Sequence, residues 1–403
     1  MKLDTKFDAL MLTMGELSVL ARQPGSAENV LSLVPKIEAD GKESILAAFG
    51  RLDKDKRDDY SKAIAMLAAP SQVARLHYSV ADETVTRIYL AWRPENKDSV
   101  AALALTDGKL AVSLQPADRI ERMLSGALAL TVGLQSANLT KSLSANATIV
   151  LIAVMDYFRY GRYRSLLTHT DPPGSFSQSE VMERIEDASS EDFRWPLLML
   201  DKVFPVPIAG RFQAEDVTAA LEELCRLDLL TKNEAEGGKP ELTLYSLTPA
   251  ANTVCDSLLH DVSKAALGIS SAGADGIVGH EAMLLVRSSN YLWLLGIGGT
   301  EGVVASIDGK QFSEMLKQAL TPPEKMPPVI TNASRATQAA PGVAPGIGTS
   351  ACPKCGARNP VGTKFCAGCG ATMAAPGPKF CPKCGDPVKA GEKFCDKCGT
   401  KLA

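Results

Sequence analysis

Apolar positions recur at three- and four-residue spacing through much of the first 80 residues, over 16–20, 27–34, 43–49 and 58–67. That spacing predicts short amphipathic helices. Pro24-Gly25-Ser26 and Pro70-Ser71 punctuate them. The period then changes to two. Residues 84–90 alternate, 100–105 and 110–114 are apolar runs, and Asp107-Gly108 lies between the latter two. Asp-Gly between apolar runs is a hairpin signal. A helix follows from Pro116 to Leu128 with Ile120, Met123, Leu124, Ala127 and Leu128 on one face. Residues 141–168 read as one long helix, apolar in its first half (Ile149, Val150, Leu151, Ile152, Val154). Its second half is rich in Tyr and Arg (Tyr157, Arg159, Tyr160, Arg162, Tyr163, Arg164), and Asp171-Pro172-Pro173-Gly174 ends it.

Residues 175–260 have the element order of a winged helix. Ser177 is placed to cap a helix over 180–185, and 214–227 is amphipathic with Val217, Leu221, Leu224 and Leu227 inward. Residues 229–231 and 243–247 are the expected wing strands, and Thr248-Pro249-Ala250 opens a closing helix. The run from Leu221 through Lys232, with Leu244-Tyr245-Ser246-Leu247-Thr248-Pro249, resembles the end of many bacterial winged-helix domains. Strands are expected over 283–295 and 303–307, then a helix from Gln311 to Leu320. Phe312, Met315, Leu316, Ala319 and Leu320 match the inward face of the helix at 116–128 at a constant offset. Residues 278–320 therefore read as a second copy of 84–128, although two independent strand–turn–helix units would match as well.

The expected class is α+β: a mainly helical, winged-helix-like core with small antiparallel sheets. A helical domain would span 1–80, a small sheet with helices 81–170, a winged-helix-like domain 171–262, and the strand–helix unit 278–320. Residues 321–350 hold six prolines among Ala, Gly, Ser and Thr, a composition that cannot bury a core and is expected to form an extended, mobile linker.

At 403 residues, with 45% apolar and 22% charged positions, two or three ordinary domains are expected. The net charge is −3, but the chain from Ala351 onward is +6 and the rest −9. No apolar run reaches the length of a membrane span, and Asp4 and Asp8 interrupt the stretch where a signal peptide would be apolar. A cytoplasmic protein without membrane insertion is expected. Eight of the ten cysteines crowd into the last 52 residues in close pairs, which in a reducing compartment bind metal rather than form disulfides.

Those pairs are Cys352-x-x-Cys355 and Cys366-x-x-Cys369, then Cys381-x-x-Cys384 and Cys395-x-x-Cys398. Ten residues separate the two pairs of each set, and the sets repeat after 29. Zinc takes four thiolates in a tetrahedron at roughly 2.3 Å from sulfur. A Cys-x-x-Cys turn presents two sulfurs on one side, and a second turn across a short hairpin supplies the others. Each pair is followed by glycine, which takes a positive φ without steric cost and lets backbone N–H groups face the thiolates. Iron is the other metal such a set accepts. Units this small fold on their metal, which contributes on the order of 10 kcal/mol. Phe365 and Phe394 are their apolar cover. With four protein ligands at each site, no position is left for an activated water. The segment resembles the double zinc ribbon family, which implies two structural zinc ions, one in a ribbon at 351–370 and one at 378–403. Bound zinc and ionised thiolates would lower the tail's charge from +6 to +2.

Sharper functional signals are few. The helix at 214–227 and its end bear Glu215, Asp216, Glu222, Glu223 and Asp228 against a single Arg226, a surface that phosphate repels. The Tyr/Arg run is either a base-stacking surface or a helix end packed on its neighbours. Residues 296–302 lack the Gly-Lys-Ser/Thr ending of a phosphate loop and read as a hairpin turn. His77, His169, His260 and His280 form no metal-like pair, and Cys225 and Cys255 read as core residues. The expectation is a non-enzymatic zinc-binding adaptor for protein partners, with no small-molecule substrate. Nucleic-acid binding through the ribbons and the Tyr/Arg helix is the alternative. The repeated order of strands then helix is also weakly similar to cytosolic chaperones of type VII secretion, which implies recognition of exported proteins.

Overall fold

The computed structural model describes residues 2–4, 8–80, 86–106, 108–130, 133–187, 195–204, 207–208, 210–233, 243–328, 330–331, 349–351 and 358–360. The chain divides into two compact units, Met1–Ala336 and Thr337–Ala403.

The first unit is organised by one antiparallel sheet, which corrects the expectation of a mainly helical core. Its strands are β1 (Lys2–Asp4), β2 (Ala9–Leu12), β4 (Gln72–Val80), β5 (Thr86–Trp92), β6 (Ser99–Thr106), β7 (Lys109–Pro116), β8 (Thr140–Ser144), β12 (Asp261–Ala272), β13 (Val278–Ser288), β14 (Leu292–Gly298) and β15 (Glu301–Ile307). They lie in the order β1-β2-β7-β6-β5-β4-β12-β13-β14-β15-β8. The centre is the β4–β12 pair, with Leu76 opposite Leu267 and His77 opposite Ala266. From each strand of that pair three further strands run outward in chain order, β5, β6 and β7 on one side and β13, β14 and β15 on the other, and each run ends in a helix: α4 (Arg119–Ala127) after β7 and α10 (Gly309–Ala319) after β15.

Side chains alternate across a strand, so the sheet has two faces. Ala265, Leu267, Met283, Leu285, Ala74, Leu76 and Leu90 meet α4 and α10 through Ile120, Leu124, Phe312 and Leu316. This matches the helix faces expected at 116–128 and 311–320. On the opposite face two helical groups sit side by side. Val73, Ala91, Ala101 and Val112 are covered by α1 (Met14–Ala21) and α3 (Lys54–Ala68). Ala266, Leu284, Val286, Trp293 and Leu295 are covered by α5 (Ala145–Thr168) and the helices that follow it. The second group approaches the sheet closely. A Cβ on Gly268 would lie 2.2 Å from the Val203 carbonyl oxygen, so only glycine fits beneath that backbone.

The first helical group also contains α2 (Lys42–Gly50), while 27–34, expected as helix, holds the two-residue strand β3 (Ala27–Glu28) and irregular chain. Asn29 fixes that stretch by donating from Nδ2 to the Pro70 carbonyl at 2.6 Å and accepting from the Leu31 N–H. The long helix begins at 145 rather than 141. Ser144 caps it, its Oγ accepting from the Ala147 N–H at 3.1 Å, and residues 140–144 pair with β15 as a sheet edge.

Between α5 and β12 lie β9 (Phe176–Ser177), α6 (Gln178–Asp187), α7 (Pro196–Asp201), α8 (Ala214–Arg226), β10 (Leu230–Asn233), β11 (Leu244–Leu247) and α9 (Pro249–Leu259). β10, β11 and β9 form a small antiparallel sheet. Ser177 and Glu180 exchange capping hydrogen bonds at the start of α6, and Thr248 caps α9. No helix among the described residues is long and apolar enough to cross a membrane.

The start of the expected linker is structured. Pro327 is buried, Pro328 lies against Gly276, and β16 (Ile330–Thr331) pairs with β3, so the chain beyond α10 returns to the first helical group. Residues 332–348 lie outside the described residues. In the second unit β17 (Thr349–Ala351) pairs antiparallel with β18 (Arg358–Pro360), Ala351 opposite Arg358.

Candidate metal centre and the polar core

All eight paired cysteines (Cys352, Cys355, Cys366, Cys369, Cys381, Cys384, Cys395, Cys398) lie outside the described residues. What the structure gives is the frame of the first pair. Cys352 and Cys355 belong to the six residues that connect Ala351 to Arg358, which face each other across the β17–β18 ladder. Among the described residues, no group of three or more His, Cys, Asp or Glu is placed to hold a metal ion.

Cys225 on α8 and Cys255 on α9 are free thiols. Burial pushes Cys255 up to about 12, so it stays protonated and acts as an apolar group. His280 accepts or donates through Nδ1 to Ser270 Oγ at 2.7 Å, across the β12–β13 pair. It lines a 650 Å³ cleft with Gln72, Ser271, Glu281 and Met315 beside α10. The pair resembles half of a nucleophile–base arrangement. Yet Ser270 sits in the middle of the sheet, paired to Val73 on one side and His280 on the other. Its neighbouring backbone N–H groups are engaged in ladders and cannot stabilise an oxyanion. Burial, with Arg75 nearby, lowers the His280 pKa.

The Tyr/Arg half of α5 is turned mostly to internal use. Arg159 is buried and reaches Asp261 at 3.1 Å, while Lys264 holds the other oxygen of Asp261 at 2.8 Å. Arg159 also donates to the Leu258 carbonyl at 3.1 Å and lies over the rings of Tyr163 and Trp195. Arg162 pairs with Asp256 at 2.6 Å, and Tyr157 donates to Glu180 at 2.8 Å. Tyr160 and Tyr163 pack on Trp195. Beyond them Leu166 and Leu167 are 72% and 83% exposed. Two of the three arginines that suggested a cationic surface, Arg159 and Arg162, are therefore neutralised by carboxylates of other elements.

A buried polar core at this junction escaped the sequence reading. Asp156, Arg159 and Lys264 are each under 5% exposed, and the side chain of Asp261 is 4% exposed. The available signal was a set of charges interrupting apolar runs: Asp156 directly after 145–155, and Lys264 inside a central strand. His77 is a second buried group. Burial, reinforced by Arg87, Arg75 and Lys202, pushes it down to about 4, so it is neutral at physiological pH.

The glycine-rich turn at 296–302 is a hairpin: Gly298 faces Glu301, and Gly299 adopts φ 62°. The acidic face of α8 is also committed. Glu223 accepts both the N–H and the hydroxyl of Ser144 at 2.6 Å, clamping α8 to the start of α5.

The double zinc ribbon family model matches residues 352–399, a span that contains every one of the eight paired cysteines. The match supports zinc binding by this segment. No curated protein matches the chain significantly. Among solved structures, one similar chain comes from the Mycobacterium tuberculosis type VII secretion system chaperone EspG5 in complex with a PE25-PPE41 dimer. The identity is 9%, covering 78% of this chain and 96% of that one, with a TM-score of 0.39. A likeness at that level carries no argument here.

Proposed function

We propose that this protein is a non-enzymatic, cytoplasmic adaptor whose C-terminal segment folds around two structural zinc ions, each held by four thiolates. Cys352, Cys355, Cys366 and Cys369 hold the first, and Cys381, Cys384, Cys395 and Cys398 the second. The observation that carries the reading is the family match over 352–399, together with four Cys-x-x-Cys pairs at regular spacing. Zinc filled by four protein ligands is a folding device rather than a catalyst. The engagement of Ser270 in two ladders and the neutralised polar core favour the same non-enzymatic reading.

The partner of such an adaptor is a protein. Nucleic-acid binding is disfavoured by the pairing of Arg159 and Arg162 within the first unit and by the small positive charge left on the tail after zinc binding. We read the mirrored order of strands and helices about the β4–β12 pair as an internal duplication, and β9 through α9 as a winged-helix-like insertion used for packing. A tail on a long Pro/Ala/Gly tether raises the local concentration of its binding surface without fixing its orientation.

The test is zinc-dependent capture. Full-length protein and a variant with Cys355→Ser and Cys384→Ser are purified from cells under identical conditions. A protein recovered at equal molar amount with the former and lost from the latter supports the adaptor. Recovery of nucleic acid that falls away as salt is raised, with no stoichiometric protein, overturns it.

A further inference from the structure

We propose that Asp156 is a proton-operated latch that sets how Trp195, at the head of α7, packs on the exposed aromatic end of α5. The geometry begins with a carboxyl group only 4% exposed in the middle of a 24-residue helix. Its Oδ2 accepts the Leu197 N–H of α7 at 2.9 Å, while Oδ1 has no hydrogen-bond partner. A buried carboxylate oxygen left that way costs far more than the neutral, protonated carboxyl does.

The groups around it come from every element packed there. Arg159 lies on the same helix, one turn on; Lys264 and Asp261 come from β12, and Arg184 from α6. From α9 comes Cys255, a neutral thiol, and from α7 the Leu197 N–H. α8 brings Glu223 to Ser144 at the far end of the helix. Burial pushes Asp156 up to about 7, against the opposing pull of the Leu197 N–H and of Arg159, Lys264 and Arg184. The group therefore changes charge around neutrality.

With Asp156 protonated, Arg159 and Lys264 share Asp261, and the guanidinium of Arg159 rests over Tyr163 at 5.7 Å and Trp195 at 5.9 Å. When the carboxyl O–H breaks and its proton leaves to solvent, Oδ1 becomes an anionic acceptor beside a guanidinium three residues away on one helix face. The guanidinium moves toward Oδ1 and off the aromatic faces. Trp195 touches Tyr160 and Tyr163, which are 41% and 42% exposed, so the change reaches the surface. A buried proton is thereby read out as the packing of an aromatic patch.

Full-length protein labelled with 5-fluorotryptophan tests this by fluorine NMR between pH 5.5 and 8.5. The chain has three tryptophans, and Trp195→Phe assigns the reporting signal. The expected result is a Trp195 resonance that titrates with a midpoint near 7, while those of Trp92 and Trp293 hold their positions. In Asp156→Asn, which keeps an acceptor for Leu197, the Trp195 signal no longer titrates. A flat Trp195 signal in the wild type overturns the proposal, as does an unchanged titration in Asp156→Asn. If that variant does not fold, Arg159→Lys carries the test: the charge is kept but the planar guanidinium over the rings is lost, so the amplitude of the Trp195 titration falls, and an unchanged amplitude overturns the latch.

Discussion

Replacing Gly268 by alanine should destabilise the first unit by about 2–3 kcal/mol, and the reasoning is geometric. An ideal Cβ at this position would meet the Val203 carbonyl oxygen at 2.2 Å and the Val203 carbonyl carbon and Cβ at 2.9 Å. Ordinary van der Waals contact starts at 3.4 Å, so the segment after α7 must retreat by about 1 Å. That segment is not free to do so. Phe204 accepts from Arg75 at 3.3 Å, and Val203 is buried in the larger core. Overpacking against such neighbours costs about 1–3 kcal/mol. The loss of unfolded-state entropy on going from Gly to Ala offsets about 0.4–1 kcal/mol. The clash falls at the upper end of its range because backbone, not a flexible side chain, stands in the way. Gly298→Ala is the control: its Cβ would meet only Glu281 Cγ at 3.7 Å, and its stability should stay within about 0.5 kcal/mol of wild type. Urea unfolding followed by far-UV circular dichroism, with zinc saturating, measures both. A Gly268→Ala protein as stable as the control would refute the close seating of α7 on the sheet.

Other predictions follow the polar groups and the metal. Arg159→Leu leaves Asp261 with Lys264 alone and should cost about 3–5 kcal/mol, read as a lower urea midpoint. His77 is held neutral to about pH 4 in the fold but takes a proton near 6.5 when unfolded. The unfolded state thus binds more protons between those values, and stability is lost as pH falls from 6.5 toward 4, by on the order of 2–3 kcal/mol. His77→Gln should flatten that window in acid titrations of the urea midpoint. Asp156 has the opposite sign: its folded value is raised, so the wild type loses stability relative to Asp156→Asn as pH rises from about 4 through 7. Chelation of zinc should make the tail sensitive to protease while leaving the melting of Met1–Ala336 in place; a shift of the main transition would contradict two separate units.

Much of the local structure was legible from periodicity. The helices at 54–68, 119–127, 214–226 and 309–319, the 106–109 turn and the strands β10 and β11 of the small sheet lie where spacing and turn residues put them, whereas β9 was not expected. The sheet's centre was not legible. β4 carries Arg75, His77 and Ser79 on one face, where a half-buried strand would read as solvent-facing, and these residues are instead covered or paired within the fold. β12 begins with Asp261 and Lys264, which pair with each other, and Asp261 also takes Arg159 from a helix about 100 residues earlier. Such compensation is invisible to a local pattern. The start of the expected linker was misread for a related reason. Prolines at 322–328 pack singly against Gly276 and two clefts rather than forming a core of their own. The candidate metal ligands lie outside the described residues; their expectation rests on the Cys-x-x-Cys spacing, and the family match over 352–399 covers the same span.

Elemental analysis of full-length protein, purified without added metal or chelator, tests the central claim most directly. The account predicts two zinc ions per chain, falling to one with Cys355→Ser and to none when Cys384→Ser is added. Less than one equivalent of zinc, or iron in its place, would contradict it.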